Sequence, residues 1–205
     1  MRGKFVTIEG CEGVGKSTLI NKLKEYFKEK GIDAVFTREP GGTVISEKLR
    51  DIILDPSNTE MDSLTELLLY AAARRQHTAE FIDRALDEGK IVFCDRYIDS
   101  TTVYQGNARG LSIDTIDMLN ALCMGNTVID ATVFLDLDPE KGFARKGGSD
   151  GNRIENETLE FHKKVYRGYK KLQSKESRFM RIDASEDAES VFNEVIAGLK
   201  KRGII

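Results

Sequence analysis

The eight residues from Gly10 to Ser17, GCEGVGKS, leave a chain few architectures to choose from. They match G-x-x-x-x-G-K-[ST] at every fixed position. They also stand between a strand-like run at 4–9 (KFVTIE) and a stretch where Leu19, Ile20, Leu23 and Phe27 recur at helical spacing. Glycines at 10, 13 and 15 let the backbone curl so that successive N–H groups face phosphate oxygens, and the helix N-terminus adds partial positive charge. Lys16 supplies a point charge for the β- and γ-phosphates, and the Ser17 hydroxyl is placed to ligate Mg²⁺. A chance glycine-rich turn would need neither residue. The ATP-binding residues expected here are Gly10, Cys11, Glu12, Gly13, Val14, Gly15, Lys16, Ser17 and Thr18, with Cys11 a space filler.

The alternation continues down the chain. Gly31 stops the first helix, residues 34–37 (AVFT) read as a second strand, and a helix starts near Thr43. A long Leu/Ala-rich helix is expected over 62–88, ended by Gly89, and 90–94 (KIVFC) as a third strand. Helices at 112–124, 155–173 and 187–201 alternate with strands at 131–136 and 179–183. The pattern predicts an α/β fold, a doubly wound parallel five-stranded sheet with helices on both faces. At 205 residues and 40% hydrophobic content, residues 1–205 fit one domain. The glycine-rich stretch 146–152 (KGGSDGN) reads as a loop, the centre of a small lid at about 142–154.

Charge and cysteine usage exclude several classes. A net charge of -3 with 32% charged residues argues against wrapping nucleic acid, which needs a basic surplus. Cys11, Cys94 and Cys123 are odd in number and lack CxxC spacing, so neither a disulfide framework nor a zinc site is expected, and a reducing compartment is. With no long apolar segment, the expectation is a cytoplasmic protein with no membrane partner.

A P-loop alone does not separate kinases from switches or motors. A guanine-specific switch needs D-x-x-G and N-K-x-D segments; the first is absent, and Asn21-Lys22-Leu23-Lys24 carries lysine where aspartate must stand. What the chain has is Arg38, Arg74, Arg96, Arg145 and Arg153, all near expected loop or helix ends. Joining two phosphate-bearing molecules brings polyanions together, and arginine forks neutralise the transferred group. A lone arginine is usually a solvated surface residue, so position carries the argument. Asp95 and Arg96 end the third strand, where open parallel sheets bind ligands. Asp95 suits a Mg²⁺-associated carboxylate and Arg96 a clamp for an acceptor phosphate. Arg145 and Arg153 flank the lid loop, which can close, exclude water and deliver charge late. Lys16, Asp95, Arg96, Arg145 and Arg153 are therefore the catalytic candidates, and Ser17 and Asp95 the metal-associated ones. His77 and His162 receive no function.

Four segments carry a family resemblance: 37–43 (TREPGGT), 67–74 (LLLYAAAR), 95–97 (DRY) and 100–106 (STTVYQG), with Val103 where alanine is usual. In these, and nearly end to end, the chain resembles the thymidylate kinases. The resemblance implies a nucleoside-monophosphate kinase-like fold, ATP and dTMP as small-molecule substrates, Mg²⁺, dTDP and ADP as products, and a homodimer touching through the 62–88 helix. Carried over residue by residue, it implies that Tyr70 stacks on the thymine, Arg74 contacts the base edge and Arg96 holds the dTMP phosphate. Tyr104 would crowd the sugar 2′ position, Gln105 and Ser100 or Thr101 would lie along the base, and Pro40 and Arg38 nearby. Glu12 would lie near the acceptor sugar and phosphate. Gly13 stands where some members carry an arginine, which implies the branch whose catalytic arginine comes from the lid, Arg145 or Arg153. The alternatives are a kinase for another nucleotide or deoxynucleoside, and an ATP-dependent switch.

Overall fold

The computed structural model describes residues 2–146 and 151–205, the side chain of Lys146 excepted. Strand β1 (Lys4–Glu9) is the middle of a five-stranded sheet in the order β2-β3-β1-β4-β5, with β2 Ala34–Arg38, β3 Ile91–Asp95, β4 Ala131–Asp136 and β5 Phe179–Asp183. Each pairing is parallel; Thr7 lies opposite Cys94 on one side and Thr132 on the other. The strands read as apolar runs because both faces are covered. Val6, Ile8 and Phe93 join one core with Leu23, Phe27, Val165 and Val195, while Phe5, Val92 and Cys94 alternate to the other face against Ile82, Leu86 and Tyr97.

Helix α1 (Lys16–Lys30) runs from the P-loop to Gly31, whose left-handed backbone (φ 63°) closes it. Thr43 caps α2 (Val44–Leu54) by accepting from the Ser46 N–H, and Asp62 caps α3 (Ser63–His77) through the Leu64 and Thr65 N–H groups. The long helix expected over 62–88 is interrupted: a π-helical turn at Thr78–Ile82 separates α3 from α4 (Asp83–Asp87).

Two helical segments had no counterpart in the sequence reading. Helix α5 (Ile98–Thr101) runs into a π-helical stretch at Thr102–Ala108, and α7 (Pro139–Lys146) follows β4. Between them lies α6 (Ile113–Met124), as expected. Helix α8 (Leu159–Lys175) starts four residues later than the sequence suggests because Thr158 caps it, its hydroxyl accepting from the Phe161 N–H at 3.2 Å. Helix α9 (Ala188–Lys201) packs beside α1. The expected lid at about 142–154 thus begins inside α7, and its residues 147–150 lie outside the described residues.

Candidate active site

A cleft of about 530 Å³ opens at the carboxyl ends of β1, β2 and β3. Its floor is the P-loop from Glu12 to Thr18. Gly15 (φ 95°) precedes α1 and offers no side-chain cap, so the helix's first amides face the cleft. Lys16 Nζ donates to the carbonyls of Gly10 and Cys11 at 3.3 and 3.0 Å, which fixes its stem along the loop. Gly10 and Cys11 lie behind the lining, and burial pushes the Cys11 thiol up to about 12, so it stays protonated.

The Asp95-Arg96 pair faces this floor. Asp95 lines the cleft, and its Oδ1 is buried with no hydrogen-bond partner among the described residues, an environment suited to a cation. Arg96 adopts φ 68°, a left-handed conformation unfavourable to a side chain, with its N–H bonded to the Ile8 carbonyl at 2.9 Å. That turn throws the guanidinium back over the P-loop. Its Nη2 pairs with Glu12, and Nη1 donates to Gly10 O at 3.1 Å and Ser100 Oγ at 3.3 Å. Burial would raise the Glu12 carboxyl, but the charges of Arg96, Lys16 and His162 and a bond from Tyr104 overcome it and hold it down to about 2.

The far end of the cleft is built by α3 and the segment after β3. Tyr70, Arg74, Ser100, Thr101, Tyr104 and Gln105 all line it, as do Pro40 and Arg38 from the loop after β2. Arg74 is buried, its Nε donating to Glu39 at 2.7 Å and its Nη1 to Thr101 and Asn120 at 2.9 and 3.0 Å. Arg38 pairs with Glu47 at 2.9 Å. Ser100 is held between Glu9 and Tyr169, at 2.7 and 2.9 Å.

The two arginines expected to flank a lid, Arg145 and Arg153, part company. Arg145, on the last turn of α7, lines the cleft and donates to Ala184 O at 3.0 Å. Arg153 does not line it: its guanidinium bonds Ile53 O at 2.9 Å and Glu66 at 2.5 Å. Gly13 also explains itself. It has φ 71°, and a Cβ there would stand 2.1 Å from the Gly142 carbonyl, so α7 lies where a side chain at 13 would go.

Four groups escaped the sequence reading. Glu9 is buried beneath Arg96, accepting from Tyr97 N–H, Ser100 and Tyr169. Glu39 holds Arg74 and, at 3.0 Å, His77, whose other nitrogen meets Thr37 Oγ1 at 2.7 Å. Arg50 lines the cleft and donates to Pro40 O at 2.7 Å. Glu66 gathers Gln105, Arg109 and Arg153. Only Glu39 had a signal, its place in the TREPGGT segment.

A P-loop facing arginines across one shared cleft belongs to phosphotransferases that bring two phosphate-bearing substrates end to end, the nucleoside-monophosphate kinase class. The family model described as thymidylate kinase matches residues 8–195. The chain is 48% identical over 208 residues to the thymidylate kinase of Lactobacillus helveticus, covering 98% of each chain. It is 46% identical to that of Bacillus velezensis, covering 96% of this chain and 94% of the other. The crystal structure of thymidylate kinase from Ehrlichia chaffeensis is similar at a TM-score of 0.80 and 35% identity, covering 98% of this chain and 99% of that one. The chain belongs to the thymidylate kinase family.

Proposed function

We propose that the chain transfers the γ-phosphoryl group of ATP to dTMP, giving dTDP and ADP. The observation that carries the reading is Arg96, whose guanidinium touches the P-loop through Gly10 and Glu12 and the acceptor end through Ser100. A cation so placed can hold the acceptor phosphate against the γ-phosphate and neutralise both. The acceptor phosphate is a nucleophile at neutral pH, so the chain's work is positioning and charge neutralisation, with no general base. Lys16 supports the β- and γ-phosphates. Arg145 is assigned the lid charge on the transferred group, because it lies in the cleft while Arg153 is bonded away from it. Tyr70 is the platform for the base, and Tyr104 the wall against a 2′-hydroxyl.

Mg²⁺ is the metal we assign; Ser17, Asp95 and the substrate phosphates would hold it. The unpartnered Asp95 oxygen supports this. The ion would neutralise charge on the transferring group. The three cysteines are unpaired, and among the described residues no helix is long and apolar enough to cross a membrane; a cytoplasmic location is part of the reading. One domain spanning 1–205 and a homodimer complete the reading.

Rates with Mg-ATP on dTMP, dUMP, dCMP, AMP and thymidine test the central statement. The expected result is dTMP as the best acceptor; a clear preference for another removes the substrate assignment, and hydrolysis that ignores every acceptor replaces the kinase with a switch.

A further inference from the structure

Glu66 is 1% exposed and sits one turn before Tyr70 on α3. Its Oε1 accepts from Gln105 Nε2 at 2.8 Å and Arg109 Nε at 3.2 Å; its Oε2 accepts from Arg109 Nη2 at 3.1 Å and Arg153 Nη2 at 2.5 Å. Burial alone would raise this carboxyl. The bonds from Arg109 and Gln105, the Arg109 charge and the bond from Arg153 outweigh burial and hold it below the usual carboxylate range. Glu66 is therefore ionised and accepts on both oxygens.

An ionised carboxylate cannot donate a hydrogen bond, so only the NH₂ end of Gln105 can face it. The chemistry fixes an amide orientation that side-chain shape alone leaves open. The carbonyl end must point the other way, and among the described residues no protein donor meets Gln105 Oε1. Gln105 lines the cleft together with Tyr70 and Arg74. On Arg74, Nε and Nη1 are taken by Glu39, Thr101 and Asn120, while Nη2 has no protein acceptor among the described residues. At this end of the cleft the Arg74 Nη2 can still donate and the Gln105 carbonyl can still accept.

We propose that Glu66 is a positioning residue for base selection: by turning the Gln105 carbonyl toward the cleft, it favours 4-oxo pyrimidine nucleotides over 4-amino ones. A 4-oxo pyrimidine offers a carbonyl to Arg74 and an N3–H to Gln105. A 4-amino pyrimidine offers an amine and a bare ring nitrogen, which leaves both protein groups unpaired. Glu66 touches no substrate; it acts through Gln105. The inference rests on reading the Tyr70 end as the base pocket.

The test compares dUMP with dCMP, which differ only at this edge of the ring. In the unaltered enzyme kcat/KM for dUMP should exceed that for dCMP by roughly a hundredfold or more. In Glu66→Gln the Nη2 groups of both arginines retain a carbonyl at the Oε2 position, so the new NH₂ takes the Oε1 position, loses the bond from Arg109 Nε, faces Gln105 and turns it over. The ratio should then fall at least about tenfold. A merely structural role would lower both nucleotides together and leave the ratio alone. Glu66→Asp, which keeps the charge for Arg109 and Arg153 but withdraws it from Gln105, is read the same way if Glu66→Gln does not fold. An unchanged ratio in a folded variant overturns the proposal, as does a ratio near one in the unaltered enzyme that still prefers dTMP. Loss of any pyrimidine preference in the unaltered enzyme overturns the base-pocket reading as well.

Discussion

Glu9 is the carboxylate on which the geometry around Arg96 rests. It accepts from Tyr97 N–H at 2.8 Å, Ser100 Oγ at 2.7 Å and Tyr169 OH at 2.7 Å, and so ties β1, the start of α5 and α8 together beneath the guanidinium. Burial raises its carboxyl from the usual 4.5 to about 7; the Asp99 charge adds to this, and the bonds from Ser100 and Tyr169 and the Arg96 charge only partly offset it. A raised carboxyl holds its proton to higher pH in the folded state than in the unfolded one. Its contribution is thus fully present below about pH 4.5 and is lost as pH rises through 7. The loss is on the order of 3 kcal/mol. Urea midpoints at pH 5 and pH 8 should show it in the unaltered protein and much less in Glu9→Gln. An equal fall in both would move the effect to another group. Nothing in the run KFVTIE announces this carboxylate, because its meaning comes from residues about 90 and 160 positions away. Arg96 was legible at once, since a strand end followed by Asp-Arg needs only local reading; its φ of 68° was not.

Local signals also decide which elements the sequence reveals. The β1-loop-α1 unit and the five strands are legible because apolar runs, a glycine motif and Gly31 mark them within a few residues. Helix α7 is not, because PEKGFARK carries a glycine at its centre, and mid-helix glycine costs roughly 1 kcal/mol against alanine. Tertiary packing demands that glycine. A Cβ on Gly142 would stand 2.4 Å from the Glu12 carbonyl, so α7 seats backbone to backbone on the P-loop and carries Arg145, one turn on, into the cleft. Asp138 helps start the helix by accepting from the Glu140 N–H at 2.8 Å. Gly142→Ala should therefore lift α7 off its seat and lower kcat by roughly tenfold or more. The same change in an Arg145→Ala background should add little, since the displaced charge is already gone. Full additivity in that double-mutant cycle would mean that the seat serves the P-loop itself and not the arginine.

At the scale of the whole molecule, large apolar side chains are exposed on neighbouring helices. Val44 is 74% exposed, Leu68 50%, Met118 63% and Leu122 71%. These residues lie on α2, α3 and α6, and α3 packs against each of the other two, so the residues share one side of the fold. The Leu/Ala-rich sequence of α3 makes it a candidate contact surface, and the packing sets the exposed apolar residues of α6 beside it. A second copy of the chain is the occupant we assign, by the isologous contact that most homodimers use. Helix α3 carries Leu64 and Leu68 on its exposed side and Tyr70 and Arg74 in the cleft, so a partner pressed on one side would brace the proposed acceptor pocket on the other. Replacing Met118 and Leu122 together by glutamate puts charge into the proposed contact and should give a monomer by light scattering. Because α1 packs against α9 and β2, the monomer should bind ATP as before while its KM for dTMP rises roughly tenfold. A monomer with unchanged KM for dTMP would show that the acceptor pocket holds its shape without the second subunit, and a variant that remains dimeric would place the interface elsewhere.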